Sequence, residues 1–200
     1  MVRVKICGIT SVKDALFAEM AGADAIGVVM SDESKRDVTP AQAKKIFESL
    51  GPFISKVVVT HTKSQEKLNE IISLNPTAIQ ISTDIKIPDN YVGDLIRVVK
   101  SGESIPNDCD AVIIDDSRGE GIKYNPDFSK KTVKISDIPV ILAGGLTPEN
   151  VAEAISGIKP YAVDVCSGVE LNLGEKDNFK VLEFLRACGK IPEVRRKRRN

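Results

Sequence analysis

Near the N-terminus the sequence reads Val2-Arg3-Val4-Lys5-Ile6-Cys7-Gly8-Ile9-Thr10-Ser11. Val2, Val4 and Ile6 alternate with Arg3, Lys5 and Cys7. This alternation predicts a β-strand with Lys5 and Cys7 on the same face. Gly8 ends this strand, and Thr10 or Ser11 can cap a helix over residues 12–21. The stretch therefore predicts one βα unit with a thiol at the C-terminal end of its strand.

The same strand-then-helix pattern recurs along the chain. Eight strands are predicted, over Val2–Cys7, Ala25–Val29, Lys56–His61, Ala78–Ser82, Leu95–Lys100, Ala111–Asp115, Val140–Ala143 and Ala162–Cys166. Capping residues and Thr-Pro pairs predict helices over residues 12–21, 41–50, 65–73 and 149–156. Ser, Asn and Pro residues interrupt the helical pattern after the fourth, fifth and sixth strands, so some βα units are expected to be short or irregular. We predict an α/β fold, a single-domain (βα)8 TIM barrel, because an open doubly wound sheet usually has fewer strands.

Alternation within the strands predicts which side chains face the barrel lumen. In Ala78–Ser82 the polar residues Gln80 and Ser82 share one side, which we expect to be the inner one. The same parity places Asp115 and Asp164 in the lumen. Polar lumen residues therefore gather at the C-terminal ends of the strands, where this fold carries its chemistry.

Composition narrows the class of protein. The 200 residues are 42% hydrophobic, enough for one domain with a large core. No apolar run is long enough to span a bilayer and no signal-peptide pattern is present, so we expect a cytoplasmic protein without membrane association. The four cysteines form no C-x-x-C pair, which argues against a structural zinc site and for free thiols.

The charges are distributed unevenly. The chain carries 28 basic and 28 acidic residues, but five of the basic residues fall within positions 195–200. We expect residues 1–194 to form the barrel and residues 195–200 to be a disordered, solvated tail. Such a basic cluster can also contact nucleic acid, but we expect no nucleic-acid partner.

Two loops near the C-terminus predict a phosphate site. The seventh strand ends in Gly144-Gly145, and the eighth is followed by Ser167-Gly168. Backbone N–H groups in such small-residue turns can face an anion, and the loops after strands 7 and 8 commonly hold phosphate in this fold. We therefore predict a small phosphorylated substrate.

Four motifs stand out when these segments are read together. They are Lys5-Ile6-Cys7-Gly8-Ile9-Thr10, Ser34-Lys35-Arg36, Ala143-Gly144-Gly145-Leu146 with Pro148-Glu149-Asn150-Val151, and Val163-Asp164-Val165 with Ser167-Gly168-Val169-Glu170. Together they resemble phosphoribosylanthranilate isomerase of tryptophan biosynthesis, and the match extends to Lys176-Asp177. The resemblance implies an Amadori rearrangement of N-(5-phosphoribosyl)anthranilate, with no cofactor and no metal.

The resemblance also implies roles for individual residues. Cys7 is expected to be the general base at ribose C2, Asp115 the general acid at the ring oxygen, and Arg36 the group that binds the anthranilate carboxylate. Because a free thiol is mostly protonated at neutral pH, the site must stabilise the anion. Lys5 either does so or is neutralised by a lumen carboxylate. Lys5, Gln80 and Asp164 are assigned to the substrate pocket.

Three departures from the family pattern stand against these assignments. The fourth strand usually ends in Gln-Leu-His-Gly, whereas here Ser82 replaces the histidine. Asp116 and Glu120 add carboxylates beside the expected acid, and either one can raise its pKa or displace it. The third strand lacks the usual Phe-Val-Asn ending, and its His61, the only histidine in the chain, is interpreted as a strand-end or loop residue rather than a catalyst.

The sequence leaves alternatives open. The related sugar-phosphate isomerase of histidine biosynthesis uses two carboxylates, and Cys7 in the first position argues against it. A bifunctional enzyme that accepts both substrates remains an alternative, as does a non-catalytic phosphate-binding barrel. The oligomeric state is expected to be a monomer or a homodimer.

Overall fold

Eight parallel strands close into a barrel at the centre of the molecule. The structure is a computed structural model, and it describes residues 1–116 and 123–192. Each strand pairs with the next along the chain, and β8 returns to pair with β1. The strands are β1 (Arg3–Ile6), β2 (Ala25–Val29), β3 (Ser55–Thr60), β4 (Ala78–Ile81), β5 (Asp94–Val99), β6 (Ala111–Ile114), β7 (Val140–Leu142) and β8 (Ala162–Val165). The predicted (βα)8 barrel is confirmed.

Helices cover most of the outer face of this barrel. They are α1 (Val12–Ala21), α2 (Pro40–Ser49), α3 (Gln65–Ser73), α4 (Pro126–Ile135), α5 (Val151–Ile158) and α6 (Asn178–Ala187). Local capping explains where the first helices begin. Ser11 accepts from the Asp14 N–H, and Thr39 forms a capping box with Gln42, with Pro40 in the first turn.

Two expectations about helices were wrong. The segment after β6 contains a regular ten-residue helix, α4, which the Asn125 side chain caps ahead of Pro126. Helix α5 begins at Val151, two residues later than predicted, because the Asn150 side chain accepts from the Thr147 N–H and donates to the Gly145 carbonyl. Residues 147–150 are therefore a loop held by a side chain instead of the first turn of a helix.

The expected irregularity after β4 and β5 is confirmed. Within residues 1–116, neither strand is followed by a helix. Extended segments cover these strands instead. Ile85, Ile87 and Tyr91 pack against the main core, and Ile105 packs beside β5 and β6.

A small hairpin follows β8 at the C-terminal end of the barrel. A 3-10 turn (Ser167–Val169) leads into the antiparallel strands β9 (Glu170–Asn172) and β10 (Glu175–Lys176). The Thr10 hydroxyl donates to the Gly174 carbonyl at 2.6 Å, and the Lys176 N–H donates to the Asp14 carboxylate. These bonds hold the hairpin over the loop between β1 and α1.

Two layers of side chains make up the core. Apolar residues on the outer face of the strands pack against the helices, with Phe184 of α6 fully buried among them. Residues of the opposite parity, including Val57, Ile96 and Ile113, fill the lumen. The lumen side predicted from strand alternation is therefore confirmed.

Some predictions fall outside the described residues. Glu120 lies in residues 117–122 and the predicted tail at 195–200 lies in residues 193–200, and both stretches are outside the described part of the chain. No helix within the described residues is long and apolar enough to cross a membrane.

We expect Phe184→Ala to lower the free energy of unfolding by about 3–5 kcal/mol, because it leaves a cavity in the shell around the barrel. Phe179 of the same helix is 70% exposed, and Phe179→Ala is the matched control, expected to cost less than about 0.5 kcal/mol. Urea unfolding followed by circular dichroism measures both. Equal losses for the two variants would contradict this packing.

Candidate active site

Most of the side chains assigned from the sequence meet at the C-terminal ends of the strands. Cys7, Arg36, Gln80, Asp115 and Asp164 line one cavity there. Cys7 and Asp115 directly follow β1 and β6, Arg36 lies in the loop after β2, and Gln80 and Asp164 lie on β4 and β8. The predicted grouping of these five residues is what the structure shows, although their roles rest on the resemblance.

A second, larger cavity of about 470 Å³ opens at the opposite end of the barrel. Two of its three carboxylates are occupied by structural contacts. Asp24 accepts from the Val4 N–H and from the Lys190 ammonium, and Asp110 accepts from the Leu95 N–H. These contacts hold strand ends together, so we place the chemistry in the cavity around Cys7.

Lys5 lies between a carboxylate and the thiol. Its ammonium donates to Asp164 at 2.9 Å, and both side chains are buried. A Cβ added to Gly27 would lie 3.0 Å from the Cys7 sulfur and 3.1 Å from the Lys5 nitrogen, so these two atoms share the space above that glycine. Lys5 is therefore paired with a lumen carboxylate and also lies beside Cys7.

The ionisation of this group follows from its burial and charges. Burial raises the pKa of Asp164 to about 7, against the opposing charge of Lys5. For Lys5, burial acts to lower the pKa, but Asp164 and Cys7 outweigh it and the pKa is raised. A hydrogen bond with Cys166 and the charge of Lys5 hold the pKa of Cys7 well below its ordinary value, although burial opposes them. These contacts therefore favour the ionised form of the Cys7 thiol.

Arg36 is held by a carboxylate that has a second cationic partner. Its Nε and Nη2 donate to the two oxygens of Glu170 at 2.7 and 2.8 Å. Lys176 donates to the same carboxylate at 3.1 Å and to the Cys166 carbonyl at 3.1 Å. Because Glu170 occupies only one edge of the guanidinium, the remaining N–H groups of Nη1 can bind a second anion.

The two loops predicted to hold phosphate touch one another. Gly144 and Gly145 both have positive φ, of 92° and 61°, which glycine adopts without strain. A Cβ added to Gly168 would lie only 2.0 Å from the Leu146 carbonyl oxygen, so glycine is required for this contact. Among the described residues, the N–H groups of Gly145, Ser167 and Gly168 make no intramolecular hydrogen bond. The arrangement can therefore offer several backbone donors to one anion.

Gln80 presents an acceptor to the same cavity. It is buried, and its Oε1 is the one buried side-chain oxygen or nitrogen of the described residues without a hydrogen-bond partner. A buried acceptor left without a donor is costly in a folded protein. This oxygen is therefore suited to a donor group of a ligand.

The departures from the family pattern have structural consequences. The Ser82 hydroxyl is hydrogen-bonded to Nδ1 of His61 at 2.6 Å, and His61 lines the cavity. The histidine lies directly after β3, as the sequence predicted. Asp116 accepts from the N–H and hydroxyl of Ser101, so it secures the loop after β5.

Sequence reasoning missed three participants in the site. Cys166, Glu170 and Lys176 have no assigned role from spacing or composition, yet all three contact the groups around Cys7 and Arg36. The parity of β8 already placed Cys166 beside Asp164 in the lumen, and that was the available signal. Within the described residues, no three side chains of His, Cys, Asp or Glu are placed to hold a metal ion.

Comparison with known proteins gives the family of this chain. The family model described as N-(5'phosphoribosyl)anthranilate (PRA) isomerase matches residues 4–187. A curated N-(5'-phosphoribosyl)anthranilate isomerase from Methanoregula boonei is 54% identical over 188 residues, which cover 93% of this chain and 96% of the relative.

Solved structures give the same result. The phosphoribosyl anthranilate isomerase of Thermus thermophilus has a TM-score of 0.83 at 30% identity, covering 96% of this chain and 100% of that one. Another such isomerase, solved in complex with reduced 1-(o-carboxyphenylamino)-1-deoxyribulose 5-phosphate, has a TM-score of 0.78 at 31% identity, with the same coverage. Since the family model spans nearly all of the barrel and these relatives cover almost the whole chain, the chain belongs to the N-(5'-phosphoribosyl)anthranilate isomerase family.

Proposed function

We propose that this protein catalyses the Amadori rearrangement of N-(5-phosphoribosyl)anthranilate, with Cys7 as general base and Asp115 as general acid. The observation that carries these roles is a buried Cys7 thiol, its pKa lowered by its neighbours, in the same lumen cavity as the Asp115 carboxyl group and next to two loops with unused backbone donors. The reaction is an isomerisation within tryptophan biosynthesis. It needs a proton donor and a proton acceptor.

The two groups act on different atoms of the ribose. Asp115 protonates the ring oxygen, which opens the ring and leaves a positively charged imine between C1 and the anthranilate nitrogen. Cys7 then removes the proton from C2, which is acidic because the adjacent imine accepts its electrons. The resulting enolamine becomes the 1-deoxyribulose derivative when C1 gains a proton and the C2 hydroxyl loses its proton to become the ketone. The sulfur thus takes up a proton and the carboxyl group supplies one, which divides the two roles between different side chains.

Arg36 and Gln80 bind the anthranilate half of the substrate in this proposal. Supporting evidence comes from the guanidinium edge that Glu170 leaves uncovered and from the Gln80 oxygen that has no partner within the described chain. We assign the substrate carboxylate to Arg36, whose planar fork suits a carboxylate. A substrate N–H or hydroxyl would satisfy Gln80.

The 5-phosphate binds at Gly144, Gly145, Ser167 and Gly168 in this proposal. Backbone N–H groups at these two loops bind a dianion without placing another charge next to Cys7. Anchoring the far end of the substrate also orients C2 toward the sulfur, which reduces the entropy lost in reaching the transition state.

The thiol on β1 favours this activity over the histidine-pathway isomerase, which has a carboxylate there. Turnover measured with each substrate distinguishes a bifunctional enzyme from a specific one. The cytoplasmic location, the absence of a nucleic-acid partner and the monomeric or homodimeric state remain predictions.

We expect Cys7→Ser and Asp115→Asn each to lower kcat by about a hundredfold or more, because each removes one proton-transfer group. KM should change little, since the losses are confined to the transition state. On the acid side of the pH profile, kcat/KM should fall only at a pH below the ordinary thiol pKa of about 8.5. The reason is that Cys7, whose pKa is lowered, loses its proton at a lower pH than an ordinary thiol does. Loss of anthranilate-type fluorescence measures turnover.

Asp116→Asn is the matched control for the acid, because that carboxylate binds Ser101. It should keep turnover within a few-fold of the wild type. If Cys7→Ser retained near-normal turnover while Asp116→Asn abolished it, the assignment of the acid and base would be wrong.

We expect Gly168→Ala to weaken the binding of inorganic phosphate by at least about tenfold, since the added methyl group separates the two loops. With substrate, KM should rise more than kcat falls. Gly157→Ala on α5 is the control, because a Cβ there meets nothing within 4 Å. Isothermal titration with phosphate measures the affinity, and unchanged affinity in Gly168→Ala would place the anion elsewhere.

A further inference from the structure

A second cysteine stands directly beside the proposed base. In the pairing of β1 with β8, Lys5 is opposite Asp164 and Ile6 is opposite Val165. The Cys7 N–H donates to the Val165 carbonyl at 2.8 Å, which continues this register by one residue. Cys7 and Cys166 are therefore neighbours across the seam that closes the barrel, and their side chains share one buried cluster with Val29 and Val59.

Two glycines make room for the pair of sulfurs. A Cβ on Gly8 would lie 2.7 Å from the Cys166 sulfur, and one on Gly27 would lie 3.0 Å from the Cys7 sulfur. Gly8 also has a φ of +68°, a conformation that disfavours any other residue. Any side chain at these positions would press on one of the sulfurs, so the backbone around the pair is built to accommodate both.

Each sulfur has a cationic neighbour. The Lys5 ammonium shares the space above Gly27 with the Cys7 sulfur, and the Lys176 ammonium lies 4.0 Å from the Cys166 sulfur. Each ammonium is also bound to a carboxylate, Asp164 for Lys5 and Glu170 for Lys176. Since Cys7 is the proposed base, Cys166 is the thiol that keeps its proton, and the pKa directions agree, because the interaction between the two neighbouring thiols lowers the pKa of Cys7 and raises that of Cys166.

We propose that Cys166 is a positioning residue for the base: its S–H donates a hydrogen bond to the Cys7 thiolate, keeps that sulfur ionised and holds it at the lumen cavity. The proposal rests on the proposed role of Cys7. Such a donor is useful because a thiol without one is only a few per cent ionised at neutral pH. Four charged groups act on the pair directly, namely Lys5, Asp164, Arg36 and Lys176, and Glu170 binds both Arg36 and Lys176. Asp115 and His61 line the rest of the cavity.

The test compares Cys166→Ala, which removes the donor, with Cys166→Ser, which keeps a donor at the same place. The ionisation of Cys7 is followed by its ultraviolet thiolate absorbance against pH, with the Cys7→Ser protein as the blank. Cys109 and Cys188 interfere little, because burial raises the pKa of both thiols. Cys109→Ser is the matched control and should not move the titration.

We expect Cys166→Ala to raise the midpoint of the Cys7 titration by about one pH unit, the size of effect that a charge-assisted hydrogen bond produces. Cys166→Ser should stay within a few tenths of a unit of the wild type. The acid limb of kcat/KM should shift in parallel, while KM at high pH stays the same.

Two outcomes would overturn the proposal. The first is an unchanged midpoint in Cys166→Ala, and the second is an equal shift in Cys166→Ala and Cys166→Ser, which would show that packing alone is involved. The titration also separates this inference from the catalytic assignment. A fully active Cys7→Ser enzyme would refute the base, yet the absorbance would still report whether Cys166 stabilises the thiolate.

Discussion

The pairing of β1 with β8 is the constraint on which the rest of the structure depends. It closes the barrel, and it brings together residues 159 positions apart, Lys5 and Asp164, as a buried ion pair. An isolated charge at this depth would be very costly, so the two side chains require each other. Without this seam, neither the lumen nor the arrangement of strand ends around it would exist.

The same seam sets the chemistry of the cavity. Lys5 gives one face of its ammonium to Asp164 and another to Cys7, so the ion pair that closes the barrel also favours the thiolate. Farther toward the rim, Glu170 binds Arg36, and Lys176 binds the same Glu170 carboxylate. Arg36 and Cys7, the groups proposed to bind and to react, thus lie beside ion pairs that join distant parts of the chain, Arg36 with Glu170 and Lys5 with Asp164, which favours preorganisation of the site.

Local patterns predicted much of this protein. Strand alternation identified the lumen side of Gln80 and Asp164, because the pleat depends only on neighbouring residues. Capping residues predicted α1, α2 and α3 nearly to the residue. The start of α5 was mispredicted, since Asn150 uses its side chain to close a loop. Contacts between distant segments, such as that of Cys166 with Cys7, have no local signal and became visible only in the folded chain.

The central claim is that one substrate spans the cavity from the paired loops to Arg36, with its C2 beside the Cys7 sulfur. The most direct measurement is a crystal structure of this protein with reduced 1-(o-carboxyphenylamino)-1-deoxyribulose 5-phosphate. We expect its phosphate at Gly145 and Gly168, its carboxylate on Arg36 and its C2 within van der Waals contact of the Cys7 sulfur. A ligand bound with its phosphate away from these loops, or with C2 turned away from Cys7, would contradict the account.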